Sequence, residues 1–152
     1  MTQSAFDNAL CVLAASGGST NEFIHLEAIA GRLGVALGLD RFSGIGEKTP
    51  QVLGVRPSGP FSLEDFDHAG GVPALLAVLE PLLDRTAVLG DGRTVAEVCA
   101  TVRSAKPRPH PCLRSLEDPF EPESGLVVLR GSLAPRGAVF KRSAAPLSLI
   151  HI

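Results

Sequence analysis

Two apolar segments meet at Gly17-Gly18, and the residues that follow, Ser19-Thr20-Asn21-Glu22, have the composition of a helix start. No other stretch restricts the fold as much. The glycines end the run Phe6 to Ala15, which is apolar apart from Asp7 and Asn8 and is expected to be a buried helix. Ser19 is placed as the N-cap of a second helix, with Glu22 three residues on to close a capping box. That helix is expected from about Thr20 to Leu33. Phe23, Leu26, Ala30 and Leu33 fall along one face, with Gly34 beyond as the closing residue. A helix start carries unpartnered amides and partial positive charge, so the turn is a natural seat for a carboxylate or phosphate. Gly18, Ser19, Thr20 and Asn21 are its candidate contacts. If nothing binds there, the same residues make an ordinary capped helix.

The rest of the chain divides at its prolines and glycines. Leu39 to Thr49 is expected to be a short helix, capped by Asp40 and ended by Pro50. Gln51 to Val55 is an extended run, turned by Arg56-Pro57-Ser58-Gly59-Pro60. Arg56 there is either an anion contact or a plain surface cation. Ser62 opens another capped helix, broken at Gly70-Gly71, and Pro73 fits a first helical position. Ala74 to Leu83 is apolar enough to be buried, with Pro81 kinking or ending the helix. Thr94 and Glu97 repeat the capping-box spacing ahead of a helix to about Arg103, on which Cys99 is a small core residue.

Lys106 to Pro111 alternates proline with other residues and forbids helix. Beyond it, Leu126 to Leu129 and Ala138 to Phe140 are β-rich runs around a Gly/Pro turn. The expected organisation is a mostly helical part over 1–105, a linker over 106–124, strands over 125–145 and an unrelated tail over 146–152.

A formal net charge of −2 leaves no basic footprint for nucleic acid, and Trp and Tyr, the usual base-stacking residues, are absent. No apolar run is long enough for a membrane, and no signal-peptide pattern opens the chain, so the cytoplasm is the expected compartment. Cys11, Cys99 and Cys112 are odd in number and widely spaced, which suits neither a disulfide framework nor a metal-binding pair.

With its neighbours, the Gly17–Leu26 stretch resembles the GGSTN segment of the IlvD/Edd dehydratase family, the dihydroxy-acid, phosphogluconate and sugar-acid dehydratases. Further matches follow in order: Arg56-Pro57-Ser58-Gly59, Glu64-Asp65-Phe66, Ala69-Gly70-Gly71-Val72-Pro73, Gly92-Arg93-Thr94 and Leu129 to Val139. The resemblance implies an α/β family fold, in which this mostly α-helical stretch ends the N-terminal domain and the strands open a C-terminal β-barrel-like domain. It also implies loss of water from a 2,3-dihydroxy carboxylic acid to give a 2-keto acid, with an iron–sulfur cluster and Mg²⁺ as Lewis acids. The family carries a histidine at the position of His25, which adds that residue to the candidate substrate contacts.

The family's Cys-Asp-Lys and Ser-Asp-Gly-Arg motifs are absent from these residues. Ser132 and Glu117-Asp118-Pro119 also depart from the family pattern, which has Gly-Asn-Leu-Ala-Pro and Asp-Asn-Pro. The chain is therefore expected to be an internal fragment, inactive alone, with no catalytic or metal-binding residue of its own. Its parent is expected to be a homo-oligomer acting on a small dihydroxy acid. The competing expectation is a free-standing helical domain that binds an anion or partner without chemistry. A piece cut from a larger domain should expose apolar helix faces and an unpaired strand edge.

Overall fold

The computed structural model describes residues 1–105 and 109–145. Its spine is α1 (Gln3–Ser16), which is buried from two sides. Cys11 and Ala15 pack into one apolar cluster with Val52, Leu75, Leu79, Val95 and Cys99. Phe6, Leu10, Leu13 and Ala14 pack into a second with Phe23, Ala30, Phe42 and Leu126. A helix that is apolar nearly all round has no solvent face to keep and takes the middle of a domain. Asn8, the buried polar residue of this helix, spends its amide on both backbone groups of Asp84, donating at 2.9 Å and accepting at 2.8 Å.

Five more α-helices follow among the described residues: α2 (Thr20–Arg32), α3 (Gly38–Gly46), α4 (Leu63–His68), α5 (Gly71–Leu79) and α6 (Val95–Ala105), with α2, α3 and α5 packed on α1 and α4 and α6 on α5. An antiparallel hairpin of β1 (Leu126–Gly131) and β2 (Ala134–Lys141) follows, irregular in register between Leu129 and Gly131. Helices followed by a two-stranded sheet keep the α/β order expected. Lys106, Pro107 and Arg108 of the proline-rich run, and the expected tail from Pro146, lie outside the described residues.

Several boundaries match their sequence signals. α2 ends on Gly34 at φ +71, where Val35 N–H reaches Ala30 C=O at 2.9 Å and Gly34 N–H reaches Gly31 C=O at 3.2 Å. This is the left-handed stop that glycine permits. Ser62 and Asp65 form a full capping box on α4, and Thr94 with Glu97 forms the same reciprocal pair at α6. After α5 the chain tightens into a 3₁₀ turn (Glu80–Leu82) holding Pro81.

Four expectations are corrected. Asp40 does not cap α3: the helix begins earlier, at Gly38, so Asp40 falls in its first turn and pairs with Arg130 of β1. α3 stops at Gly46 rather than Thr49, because Lys48 and Thr49 donate to carbonyls only three residues back. Leu33 is 52% exposed, since the chain turns away at Gly34 before that side chain reaches the core. Pro73 is the third residue of α5, still within the first turn where its missing N–H has no partner to lose.

Segment 109–125 is packed against the body. Gly54 N–H donates to Cys112 C=O at 2.9 Å, Arg114 N–H to Val52 C=O at 2.9 Å and Phe120 N–H to Gln51 C=O at 2.9 Å. These bonds clamp the extended run 51–55 on one side while Val52 and Leu53 amides bond Ala15 C=O on the other. Among the described residues, no helix is long and apolar enough to cross a membrane.

Several carboxylates sit below their usual range, among them Asp7 through the Arg41 guanidinium, Asp65 through the Ser62 amide and Glu97 through the Thr94 amide. Such groups bind protons more weakly folded than unfolded, so the unfolded chain takes up more as pH falls. Their stabilisation is present above the unfolded values near about 4 and fades as pH drops through the lower folded values. The thermal midpoint is thus expected to hold steady down to about pH 5 and to fall below about pH 4. Asp7→Asn should make that acid decline shallower when followed by circular dichroism.

Candidate functional site

The turn between α1 and α2 is held in place by residues far away in sequence. Gly17 adopts φ +56, and its carbonyl accepts the Ser58 hydroxyl at 2.6 Å. Gly18 C=O accepts the Lys141 ammonium at 3.1 Å. Gly125 lies against Gly17 so closely that a Cβ on it would stand 2.4 Å from Gly17 Cα. Its amide donates to Ala14 C=O at 3.1 Å and its carbonyl accepts from Arg142 N–H at 3.1 Å. Gln51 supports the Arg-Pro-Ser-Gly turn from beneath, donating its side-chain amide to Ser58 C=O at 3.2 Å. The Arg56–Pro57 peptide in that turn is cis.

Thus the α2 N-terminus, the Ser58 turn, Gly125 and the end of β2 converge. Ser19 is the N-cap as expected, and its hydroxyl accepts Asn21 N–H at 3.2 Å. The capping box with Glu22 does not form. Glu22 N–H bonds instead to Ser19 C=O at 3.0 Å, which leaves the box without its reciprocal amide. The Glu22 carboxylate lies beside Gly18, where an added Cβ would come within 2.8 Å of it. Ser19 and Asn21 are exposed, while Gly18 and Thr20 are half-buried.

Gly18, Ser19, Thr20 and Asn21 therefore stand together at one end of α2. His25 lies four residues beyond Asn21, one turn along α2 and about 40° around it. It is exposed and borders an apolar groove between α1, α2 and α5. Arg56 is exposed and donates its Nε to Pro60 C=O at 3.2 Å, within its own turn.

Lys141, Ser58 and Gly125 are parts of this arrangement that sequence reasoning did not single out. Ser58 lay inside a quoted motif, but nothing local to Lys141 points to a glycine 123 positions away. Electrostatically the Lys141 ammonium adds positive charge beside the helix start, in the same sense as the exposed amides there.

The thiols stand apart. Cys11 meets Thr49 Oγ1 at 3.6 Å, Cys112 meets Asp65 C=O at 3.5 Å, and Cys99 is fully buried on α6. Burial pushes all three thiols up, away from the thiolate form that metals and electrophiles require. Among the described residues, no group of three or more His, Cys, Asp or Glu is placed to hold a metal ion. The cluster and Mg²⁺ that the resemblance implies thus do not fit the donors present here.

A glycine turn feeding a helix start in one sequence region is thus clamped by the hairpin of a second. The N-terminal model of dihydroxy-acid/6-phosphogluconate dehydratases matches residues 1–98 and the C-terminal model residues 111–151. The chain belongs to the dihydroxy-acid/6-phosphogluconate dehydratase family. It is similar to a dihydroxy-acid dehydratase of Mycobacterium avium (strain 104), 47% identical over 147 residues, which are 93% of this chain and 25% of that protein. It is also similar to an L-arabonate dehydratase of Azospirillum brasilense, 43% identical over 153 residues, 99% of this chain and 26% of that protein. The chain spans about a quarter of the length of the curated relatives it matches.

The packing at the turn makes a graded prediction. Gly34→Ala, at φ +71 with open space around it, should cost about 1 kcal/mol for the left-handed backbone alone. Gly125→Ala must push against backbone and should cost about 3 kcal/mol or more. Urea midpoints check this, and equal losses for the two variants would contradict the close approach.

Proposed function

We propose that this chain is part of a hydro-lyase that dehydrates a 2,3-dihydroxy carboxylic acid to a 2-keto acid, and that it contributes one wall of the substrate pocket. Membership of the family supports the reaction class. The observation that carries the role of this segment is the α2 start, held by Ser58, Gly125 and Lys141 with Ser19 and Asn21 left facing solvent. In this proposal the donors of Ser19, Thr20 and Asn21 receive the substrate carboxylate, Gly18 lines the turn with its own N–H spent on Leu13 C=O, and the helix start and Lys141 offset the charge. His25, one turn beyond Asn21 and bordering the neighbouring groove, is a further candidate contact in this reading.

The two relatives described above carry the names of a dihydroxy-acid and an L-arabonate dehydratase, so branched-chain dihydroxy acids and sugar acids both belong to the proposal. In the same reading the iron–sulfur cluster and Mg²⁺ are held outside these 152 residues, in a cytoplasmic homo-oligomer. The β1–β2 hairpin opens a β-barrel-like domain there, and the residues described here have no turnover of their own.

A graft tests this. The matching 153 residues of the Azospirillum brasilense protein, and the matching 147 of the Mycobacterium avium protein, would be replaced by this chain. Each chimaera would be assayed on L-arabonate and on a branched-chain dihydroxy acid. At least one should turn over, and Asn21→Ala in it should lower kcat/KM by about tenfold or more, chiefly through KM. Unchanged kinetics in Asn21→Ala and Ser19→Ala would remove the α2 start from the pocket.

A further inference from the structure

Past the end of β2 the chain brings a second group to the glycine turn besides Lys141. Lys141 donates its ammonium to Gly18 C=O at 3.1 Å, and the Ser143 hydroxyl lies 3.5 Å from Ser58 Oγ. Arg142 between them pairs instead with Glu123. Ser58 spends its one proton on Gly17 C=O at 2.6 Å, so it offers Ser143 only a lone pair. A separation of 3.5 Å is too long for a firm O–H···O bond. The Ser143 hydroxyl is exposed and open to another partner.

These groups are ordered along the turn. Ser19 and Asn21 stand at the α2 start, Lys141 one residue back at Gly18, and Ser143 one further back, beside the Ser58 that holds Gly17. A substrate with its carboxylate at Ser19 and Asn21, and its carbon chain laid back over the turn, brings its distal carbons toward Ser143. The side chains offered along that path carry hydroxyl, amide and ammonium groups, while Leu13, the apolar residue against Gly18, is buried in the core. Alkyl carbons laid there would strip water from polar groups and return no hydrogen bond; a chain bearing hydroxyls returns them. A site built to bond a substrate hydroxyl rejects an analogue lacking it more sharply than an apolar pocket discriminates by size.

We propose that this wall selects a polyhydroxylated sugar acid over a branched-chain dihydroxy acid. Ser143 is its specificity-determining residue and bonds a hydroxyl beyond the third carbon of the substrate. The inference rests on the proposed seating of the carboxylate at Ser19 and Asn21 and narrows the substrate class for that seat.

The test is an NMR titration of the full, isotope-labelled chain with L-arabonate and with 2,3-dihydroxy-3-methylbutanoate, following backbone amides. L-arabonate should shift the Ser19 and Asn21 amides and bind about fivefold or more tighter than the branched-chain acid. Ser143→Ala, at an exposed position that tolerates the change, should bring the two acids level. Ser143→Thr, which keeps the hydroxyl, should retain the preference. Shifts at Ser19 and Asn21 with no preference for L-arabonate, or a preference that survives Ser143→Ala, would overturn the inference and leave the carboxylate seat standing. No shift at those amides with either acid would overturn the seat and the inference together.

Discussion

The last carbonyls of a buried helix have no partners within the helix and no water to turn to, so other parts of the chain must bring donors to them. At the end of α1 this requirement draws two distant segments up to the turn that follows the helix. Leu13 C=O takes Gly18 N–H at 3.4 Å, Ala14 C=O takes Gly125 N–H at 3.1 Å, and Ala15 C=O takes Val52 and Leu53 N–H at 3.0 and 3.2 Å. The glycine turn, the extended run 51–55 and the approach to the hairpin are all located by these bonds. Ordering a buried amide and carbonyl in this way adds only about 1 kcal/mol each, but leaving one unmade costs more. The arrangement is therefore specified chiefly by what its absence would cost.

The candidate site depends on the same end of α1. The α2 start is displayed because Gly17 can turn left-handed, because Ser58 holds the Gly17 carbonyl and because Lys141 reaches back to Gly18. Ser58 falls within the N-terminal family match and Lys141 within the C-terminal one. The candidate seat for an anion is thus assembled from both parts of the family's sequence, although its candidate donors are contiguous.

Local signals were legible where local physics decides. The caps at Ser62 and Thr94, the stop at Gly34 and the break at Pro81 depend on neighbours a few residues away, and each stands where the sequence places it. The Ser19–Glu22 box had the same spacing but lost to a competitor: Ser19's own carbonyl takes the amide that the box needs. Asp40 was misplaced because Gly38 starts its helix sooner than the apolar pattern suggests, and Leu33 because periodicity cannot show where the chain turns away. The candidate donors at Gly18 to Asn21 could be named from composition. Their supports could not, since no short-range pattern links residue 18 to residue 141.

The claim that donors from distant segments define the end of α1 is tested most directly by native-state hydrogen exchange on the intact chain. The Val52, Leu53 and Gly125 amides are predicted to exchange only through the opening that frees the Leu10 and Leu13 amides of α1, with the same free energy of opening. Exchange of the Val52 and Gly125 amides at rates typical of surface loops, while α1 stays protected, would contradict it.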